Sequence, residues 1–144
     1  MEKKREIKFR AWDMERKKMI GRAEEDGEYT VCFSGEIRCI KHGNTPFNVT
    51  LPQSLILMQF TGLKDKKGKE IYENDVVKVV DGMDGELGII WWNGLGWDID
   101  WSIAKNLGKF DYSVGDSKCL EVIGNIYENP ELLSKLSSNI YEDR

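Results

Sequence analysis

The stretch that decides the fold is ELGIIWWNGLGWDIDW, residues 86–101. Its first half is apolar and rich in isoleucine and tryptophan, which is typical of a strand. The dipeptide Asn93-Gly94 follows, and it is the strongest short hairpin signal in the chain. The return strand, from Gly96 to Ile103, alternates apolar and polar residues, so one of its faces must pack on a core. This stretch predicts a β-hairpin.

More strands are predicted on both sides of this hairpin. Residues 55–60 are an apolar run, which predicts a strand buried on both faces, or nearly so. The charged segment 64–69 predicts an exposed turn, and the polar corner 73–75 leads into a β-branched strand, 76–80. Residues 119–127 predict a last strand.

A short C-terminal helix is predicted after this strand. Asn129 is a candidate N-cap, and Pro130 suits the first helical position. Leu132, Leu133 and Leu136 would form its apolar stripe.

The first 54 residues predict a more irregular β extension. Residues 7–12 alternate apolar and polar side chains, as in a half-buried strand, and Met19-Ile20 is a candidate partner strand. Runs at 29–33 and 36–40 surround Ser34-Gly35 and predict a second hairpin.

The predicted fold is therefore mainly β. We expect a small SH3-like β barrel or roll with a C-terminal helix over residues 55–144, and an N-terminal β extension over residues 1–54. The SH3-like comparison rests on the polar corner that precedes the strand at Val76, and the two parts could form one cooperative domain, 1–144.

Composition excludes several classes of protein. At 144 residues, with 40% hydrophobic and 32% charged residues, the chain suits one folded domain rather than a disordered protein. No apolar run approaches the roughly 18 residues that cross a bilayer, so no membrane contact is expected. The start of the chain lacks the apolar region of a secretory leader, which predicts a cytoplasmic protein.

Charge is unevenly distributed along the chain. Residues 1–22 contain nine Lys/Arg and four acids, a net +5, and because the chain totals −4 the remainder is −9. A basic end on an acidic body can contact phosphates, or it can complement another part of the fold or a neighbouring subunit.

Three segments together resemble the YopX family of phage and prophage proteins. They are FRAWD at 9–13, MQFTGLKD at 58–65 continuing through GKEIYENDVV at 68–77, and VIGNIYENP at 122–130 with Leu132 and Leu133. One departure is Asn74, where glycine is usual, but asparagine tolerates the left-handed backbone of such a corner. The resemblance implies an SH3-like β region and a phage-derived protein in the host cytoplasm, and it brings no known activity.

No catalytic or metal site is predicted. The single histidine, His42, falls in a predicted loop, and Cys32, Cys39 and Cys119 lack the spacing of a zinc knuckle. No phosphate-binding or nucleophile motif is present, so we expect neither an enzyme nor a cofactor.

One acidic pair leaves an alternative open. Asp98 and Asp100 share a strand face and could hold a divalent ion for hydrolysis, although such a pair is more often the solvated face of a strand.

Six residues are candidates for binding. Arg10 and Trp12 share one side of a strand, where they could stack on a base or grip a phosphate. Alternatively, Arg10 pairs with an internal carboxylate such as Asp65 or Asp75. The other four are the tryptophans of the predicted hairpin: Trp91, Trp92, Trp97 and Trp101.

The tryptophans carry the leading hypothesis. Adjacent Trp91 and Trp92 point to opposite faces, so at least one is exposed or covered by another segment or subunit. This predicts a non-enzymatic interaction module that forms a homo-oligomer and binds a phage or host protein. The alternative is a nucleic-acid-binding protein that uses the basic N-terminal strand and the SH3-like surface.

Overall fold

The computed structural model describes residues 6–20, 29–31, 37–39, 55–81, 85–104 and 112–134. Contacts within the chain define two compact units: Glu6–Gln59, and Met1–Arg5 with Phe60–Arg144. One of the two boundaries, after Gln59, lies inside the strand Leu55–Lys64, five residues beyond the boundary predicted after residue 54.

The protein is mainly β, as predicted, and its sheets are antiparallel. The strands of the described residues are β1 (Phe9–Asp13), β2 (Lys18–Ile20), β3 (Tyr29–Val31), β4 (Ile37–Cys39), β5 (Leu55–Lys64), β6 (Glu70–Tyr72), β7 (Asp75–Val79), β8 (Leu87–Trp92), β9 (Trp97–Asp100) and β10 (Leu120–Asn125). Two short 3₁₀ helices occupy Val114–Cys119 and Pro130–Leu132.

In the first unit, β1 lies between β2 and the first half of β5. Trp12 is opposite Met19 on one side and Ile56 on the other. The predicted pairing of the first two strands is confirmed. Strand β3 pairs with β4, while the predicted turn at Ser34-Gly35 lies outside the described residues.

In the second unit, four strands form a sheet in the order β10-β7-β8-β9. Its core includes Val77, Val79, Ile90, Ile99 and Leu120, all fully or almost fully buried. The strand predicted at residues 76–80 is confirmed as β7. Its β-branched side chains favour a strand because they pack well on a covered pleated surface.

Strand β5 differs from the prediction in its burial. Met58 and Phe60 are buried, but their neighbours are only half-buried, so one face of the strand is fully covered and the other only in part. It also continues to Lys64 through a bulge at Gly62, whose φ of 88° needs a residue without Cβ. Thr61 Oγ1 donates to Ile71 O at 2.8 Å and stabilises the bulge.

The segment at 64–69 is a turn, but the prediction that all of it is exposed was wrong. Asp65 is 1% exposed. Its Oδ1 accepts hydrogen bonds from the backbone N–H groups of Lys67 and Lys69 at 2.9 and 2.8 Å, and Oδ2 accepts one from Val122 at 2.9 Å. The buried carboxylate is therefore satisfied by main-chain donors.

The polar corner before β7 is confirmed. Asn74 has φ 66°, the left-handed backbone that asparagine tolerates. Asn74 N donates to Ile90 O at 2.9 Å, and Asn74 O accepts from Ile126 N at 3.1 Å. Asp75 Oδ2 accepts from Tyr72 N at 2.7 Å and closes the corner.

The return strand of the central hairpin is shorter than predicted. Strand β9 ends at Asp100, and Ala104 N donates to Trp101 O in a turn. Ile103 is still buried, but it packs in a cluster with Val76 rather than continuing the face of Ile99. The sequence alternation runs on to Ile103, but the strand ends at Asp100 because the backbone turns there.

The predicted C-terminal helix is not confirmed. A single 3₁₀ turn follows Asn129, whose side chain makes no cap hydrogen bond and instead accepts from Asn125 N at 3.3 Å. Leu136 lies outside the described residues.

Candidate interaction surface

A tight turn holds the tip of the β8–β9 hairpin. Asn93 Oδ1 accepts from Leu95 N and Gly96 N at 2.9 and 3.0 Å, and Asn93 N donates to Gly96 O at 3.1 Å. Gly94 has φ 94°, a conformation that suits glycine. The loop therefore spans four residues, with Trp92 directly opposite Trp97.

Three large apolar side chains are exposed at this tip. Trp91 is 44% exposed, Trp92 47% and Leu95 95%. Because successive residues of a strand point to opposite faces, the two indoles lie on the two sides of the hairpin. We call these three residues the hairpin-tip surface.

The Trp92 side of the tip is anchored in the core. The Trp92 and Trp97 rings meet edge to face, with centroids 5.2 Å apart and planes at 71°. Trp97 is half-buried against the core of Ile90 and Ile99, and its Nε1 is buried without a hydrogen-bond partner in the described part of the chain. This packing fixes the position of Trp92.

The opposite side combines an indole with two carboxylates. Trp91 pairs across the strands with Asp98, and Ile89 pairs with Asp100, so these side chains share a face. We call Trp91, Asp98 and Asp100 the acidic-aromatic face.

The two carboxylates also support the local backbone. Asp98 Oδ1 accepts from Ile99 N at 2.8 Å, Asp98 Oδ2 from Asn93 Nδ2 at 3.2 Å, and Asp100 Oδ1 from Ser102 N at 2.9 Å. Among the described residues, no group of three His, Cys, Asp or Glu side chains is arranged to hold a metal ion.

Trp101 lies away from the tip. It is half-buried against the core and close to Gly88, where a Cβ would come within 3.0 Å of its ring and collide with Ile99. Glycine on β8 therefore makes the room that Ile99 and Trp101 occupy.

The two candidates in the first unit are less accessible. Trp12 is only 8% exposed on a strand that is flanked on both edges, so its ring offers little surface for stacking on a base. Arg10 is half-buried, with Nη2 3.8 Å from Met58 Sδ. Its pairing with Asp65 or Asp75 stays a prediction.

The sequence did not single out the turn between β1 and β2. Asp13 Oδ1 accepts from Glu15 N and Arg16 N, both at 3.0 Å, and so shapes a turn whose apex is exposed. Met14 is 48% exposed, Arg16 has a side chain 64% exposed, and Lys17 is exposed with φ 51°. We call Met14, Arg16 and Lys17 the basic turn. The sequence feature that could have predicted this turn is Asp13, because aspartate commonly begins such turns.

Cys119 is a free, half-buried thiol. Its Sγ lies 3.8 Å from Asp81 Oδ2, and desolvation together with the negative charge of Asp81 raises the pKa of the thiol. Burial likewise raises the pKa of the Tyr127 hydroxyl, and Glu73 adds to the effect. Of the other candidates for a zinc site, Cys32 and His42 lie outside the described residues, as does the side chain of Cys39.

In the described part of the chain, no helix is long and apolar enough to cross a membrane.

Comparisons with known proteins agree with the family resemblance. The family model described as "YopX protein" matches residues 8–134. The solved structure of protein EF1440 from Enterococcus faecalis is similar, with a TM-score of 0.58 and 28% identity over 90% of this chain and 99% of that one. Protein yopX from Bacillus subtilis has the same fold, with a TM-score of 0.52 and 22% identity over 86% of this chain and 95% of that one.

No curated protein shows significant sequence similarity to this chain. The family match covers most of its length and includes all three segments that carry the resemblance. The chain belongs to the YopX protein family.

Proposed function

We propose that this protein is a non-enzymatic interaction module that self-associates and binds a protein partner through the hairpin-tip surface. One observation carries the proposal: Trp91 and Trp92, at the end of β8, are both about half exposed on opposite faces of the hairpin, next to a turn held by Asn93. Tryptophan is enriched among the residues that dominate binding energies, and its ring loses little conformational entropy when bound.

The position of the tip also favours binding. Leu95 at its apex is almost fully exposed, which leaves an apolar side chain in water unless a partner covers it. Because Trp97 holds Trp92 by edge-to-face packing, the surface is already formed before a partner arrives. A second copy of the chain is the partner we propose first.

The polar residues of the family segments support a structural rather than a catalytic role. Asp65 and Asp75 accept hydrogen bonds from backbone N–H groups at the turns that position β6, β7 and β10. Thr61 likewise bonds to the backbone at the β5 bulge. These hydrogen bonds give Asp65, Asp75 and Thr61 a structural role that involves no substrate.

Size-exclusion chromatography with light scattering tests the proposal. We expect Trp91→Ser with Trp92→Ser to weaken self-association by at least about tenfold, as for the loss of central interface aromatics. Ile7→Ser is the matched control, since Ile7 is 64% exposed on a different part of the chain. Equal association of both variants and the wild type would refute the role of the tip.

Nucleic-acid binding is the second candidate, and the exposed basic turn is the observation that favours it. Arg16 and Lys17 are two of the nine basic residues in the positively charged segment 1–22. In a gel shift, binding through phosphates should weaken steeply as salt is raised, and Arg16→Gln with Lys17→Asn should reduce both the affinity and the salt dependence. Absence of binding at low salt removes this candidate.

We further propose the finer features of fold and setting that the family resemblance implies. Residues 55–144 form an SH3-like arrangement, supported by the left-handed corner at Asn74 before β7 and by the 3₁₀ helix Val114–Cys119 before β10. The protein acts in the cytoplasm of a host cell as a phage-derived product. The free thiol of Cys119 suits such a reducing compartment.

A further inference from the structure

Two exposed surfaces of this chain have complementary chemistry. The acidic-aromatic face presents the indole of Trp91 beside Asp98 and Asp100, both half-buried. Among the described residues, no lysine or arginine forms a salt bridge with either carboxylate. This face therefore suits a partner that brings a cation next to an apolar group.

The basic turn has that composition. Met14, Arg16 and Lys17 are all exposed in this one turn. The turn also exposes Glu15, and Arg16 Nε lies 3.8 Å from Asp13 Oδ2, so Lys17 brings the cation that forms no salt bridge within the described part of the chain. A cation over an indole and a sulfur near its edge are both favourable contacts with tryptophan. The carboxylates of the acidic-aromatic face would complete the contact by facing the positive charges.

We propose that the basic turn of one copy docks on the acidic-aromatic face of a second copy. This inference rests on the proposed self-association through the hairpin tip, because Trp91 belongs to both the hairpin-tip surface and the acidic-aromatic face. It adds the basic turn as the surface that the Trp91 side of the tip meets. The contact is heterologous, because it joins two different patches rather than one patch to itself.

Charge explains why the like-to-like contact is disfavoured. If two acidic-aromatic faces met, Asp98 and Asp100 of one copy would face the same carboxylates of the other, and like charges across an interface oppose binding. Docking of the basic turn replaces this repulsion with attraction. The distribution along the chain agrees, since residues 1–22 carry +5 and the remainder −9.

A mixing experiment tests the contact. The face variant carries Trp91→Ser and Asp100→Asn. The asparagine keeps an oxygen that can accept the hydrogen bond from Ser102 N. The turn variant carries Arg16→Gln and Lys17→Asn; asparagine suits the φ of 51° at that position. Circular dichroism and thermal unfolding confirm that each variant is folded.

Each variant alone should associate roughly tenfold or more weakly than the wild type, as for loss of a cation–π contact with its charge partners. Mixed together they should form a one-to-one complex, because the intact turn of one fits the intact face of the other. Wild-type association should also weaken as salt is raised from about 50 to about 500 mM, over which screening becomes strong.

The outcomes separate this inference from the proposed function. A wild type that stays monomeric overturns both. If the wild type associates and the face variant does not, but the turn variant associates normally, the tip is an interface and the basic turn is not its partner. A mixture of the two variants that stays monomeric while the wild type associates also overturns the inference.

Discussion

Asp65 Oδ2 accepts a hydrogen bond from the backbone N–H of Val122 at 2.9 Å, which ties a tight turn to a strand 57 residues later. The same carboxylate holds two N–H groups of its own turn through Oδ1. Two of the three family segments therefore meet at one buried side chain, 1% exposed.

This geometry predicts that Asp65→Asn is destabilising. An amide has one accepting oxygen, so its NH₂ group would face a backbone donor and leave a buried N–H without a partner. We expect a loss of about 2–3 kcal/mol in the free energy of unfolding, measured by urea denaturation. Lys67→Ala is the control, because the lysine of the Lys67–Glu121 ion pair is exposed and surface ion pairs contribute little to stability. Equal effects of the two substitutions would contradict the role of Asp65.

The corner at Asn74 gives a second prediction. At φ 66°, Asn74→Gly should change the stability by less than about 0.5 kcal/mol, whereas Asn74→Ala should cost about 1 kcal/mol because alanine is strained there. Thermal unfolding of the two variants compares them directly. If alanine is tolerated as well as glycine, the corner does not require a left-handed residue.

A third prediction concerns the glycines of the central hairpin. Gly88→Ala should destabilise the protein by about 1–3 kcal/mol, since its Cβ would meet Ile99 and the ring of Trp101. Gly96→Ala is the matched control, because nothing lies within 4 Å of a Cβ at that position. Chemical denaturation should separate the two variants, and similar stabilities would show that β9 packs less closely on β8 than described.

The fourth prediction is a pH dependence at Cys119. A raised pKa means that less thiolate is present at a given pH, so alkylation should be slower than for a free cysteine near pH 8 and should rise at higher pH. Asp81→Asn should shift the rate profile toward lower pH by removing a nearby negative charge. Iodoacetamide kinetics on a Cys32→Ser, Cys39→Ser background isolates this thiol, and an unchanged profile in Asp81→Asn would exclude the charge effect.

Much of the fold could be predicted from local patterns. The β-branched run of β7 and the apolar run of β8 identify strands because they suit a pleated, covered surface. The corner at Asn74 could be predicted from one residue, since few residues tolerate its backbone. The burial of Asp65 could not, because its partner Val122 is distant in sequence and the turn around it is highly charged.

The candidate site was only partly predictable for the same reason. Alternation alone requires Trp91 and Trp92 to take opposite faces, and the structure leaves both exposed. Nothing local in the sequence shows that Trp12 is covered, because burial of a side chain depends on residues distant in sequence, and one register partner of Trp12, Ile56, is 44 positions away. Likewise, the exposure of both Met14 and Lys17 follows from the shape of the turn rather than from composition.

Sedimentation equilibrium of the wild-type chain over a wide range of protein concentration tests the central claim most directly. The exposed hairpin tip predicts that the average mass rises with concentration above the 16.6 kDa of one chain. A mass that stays at 16.6 kDa at every concentration would contradict self-association through this surface.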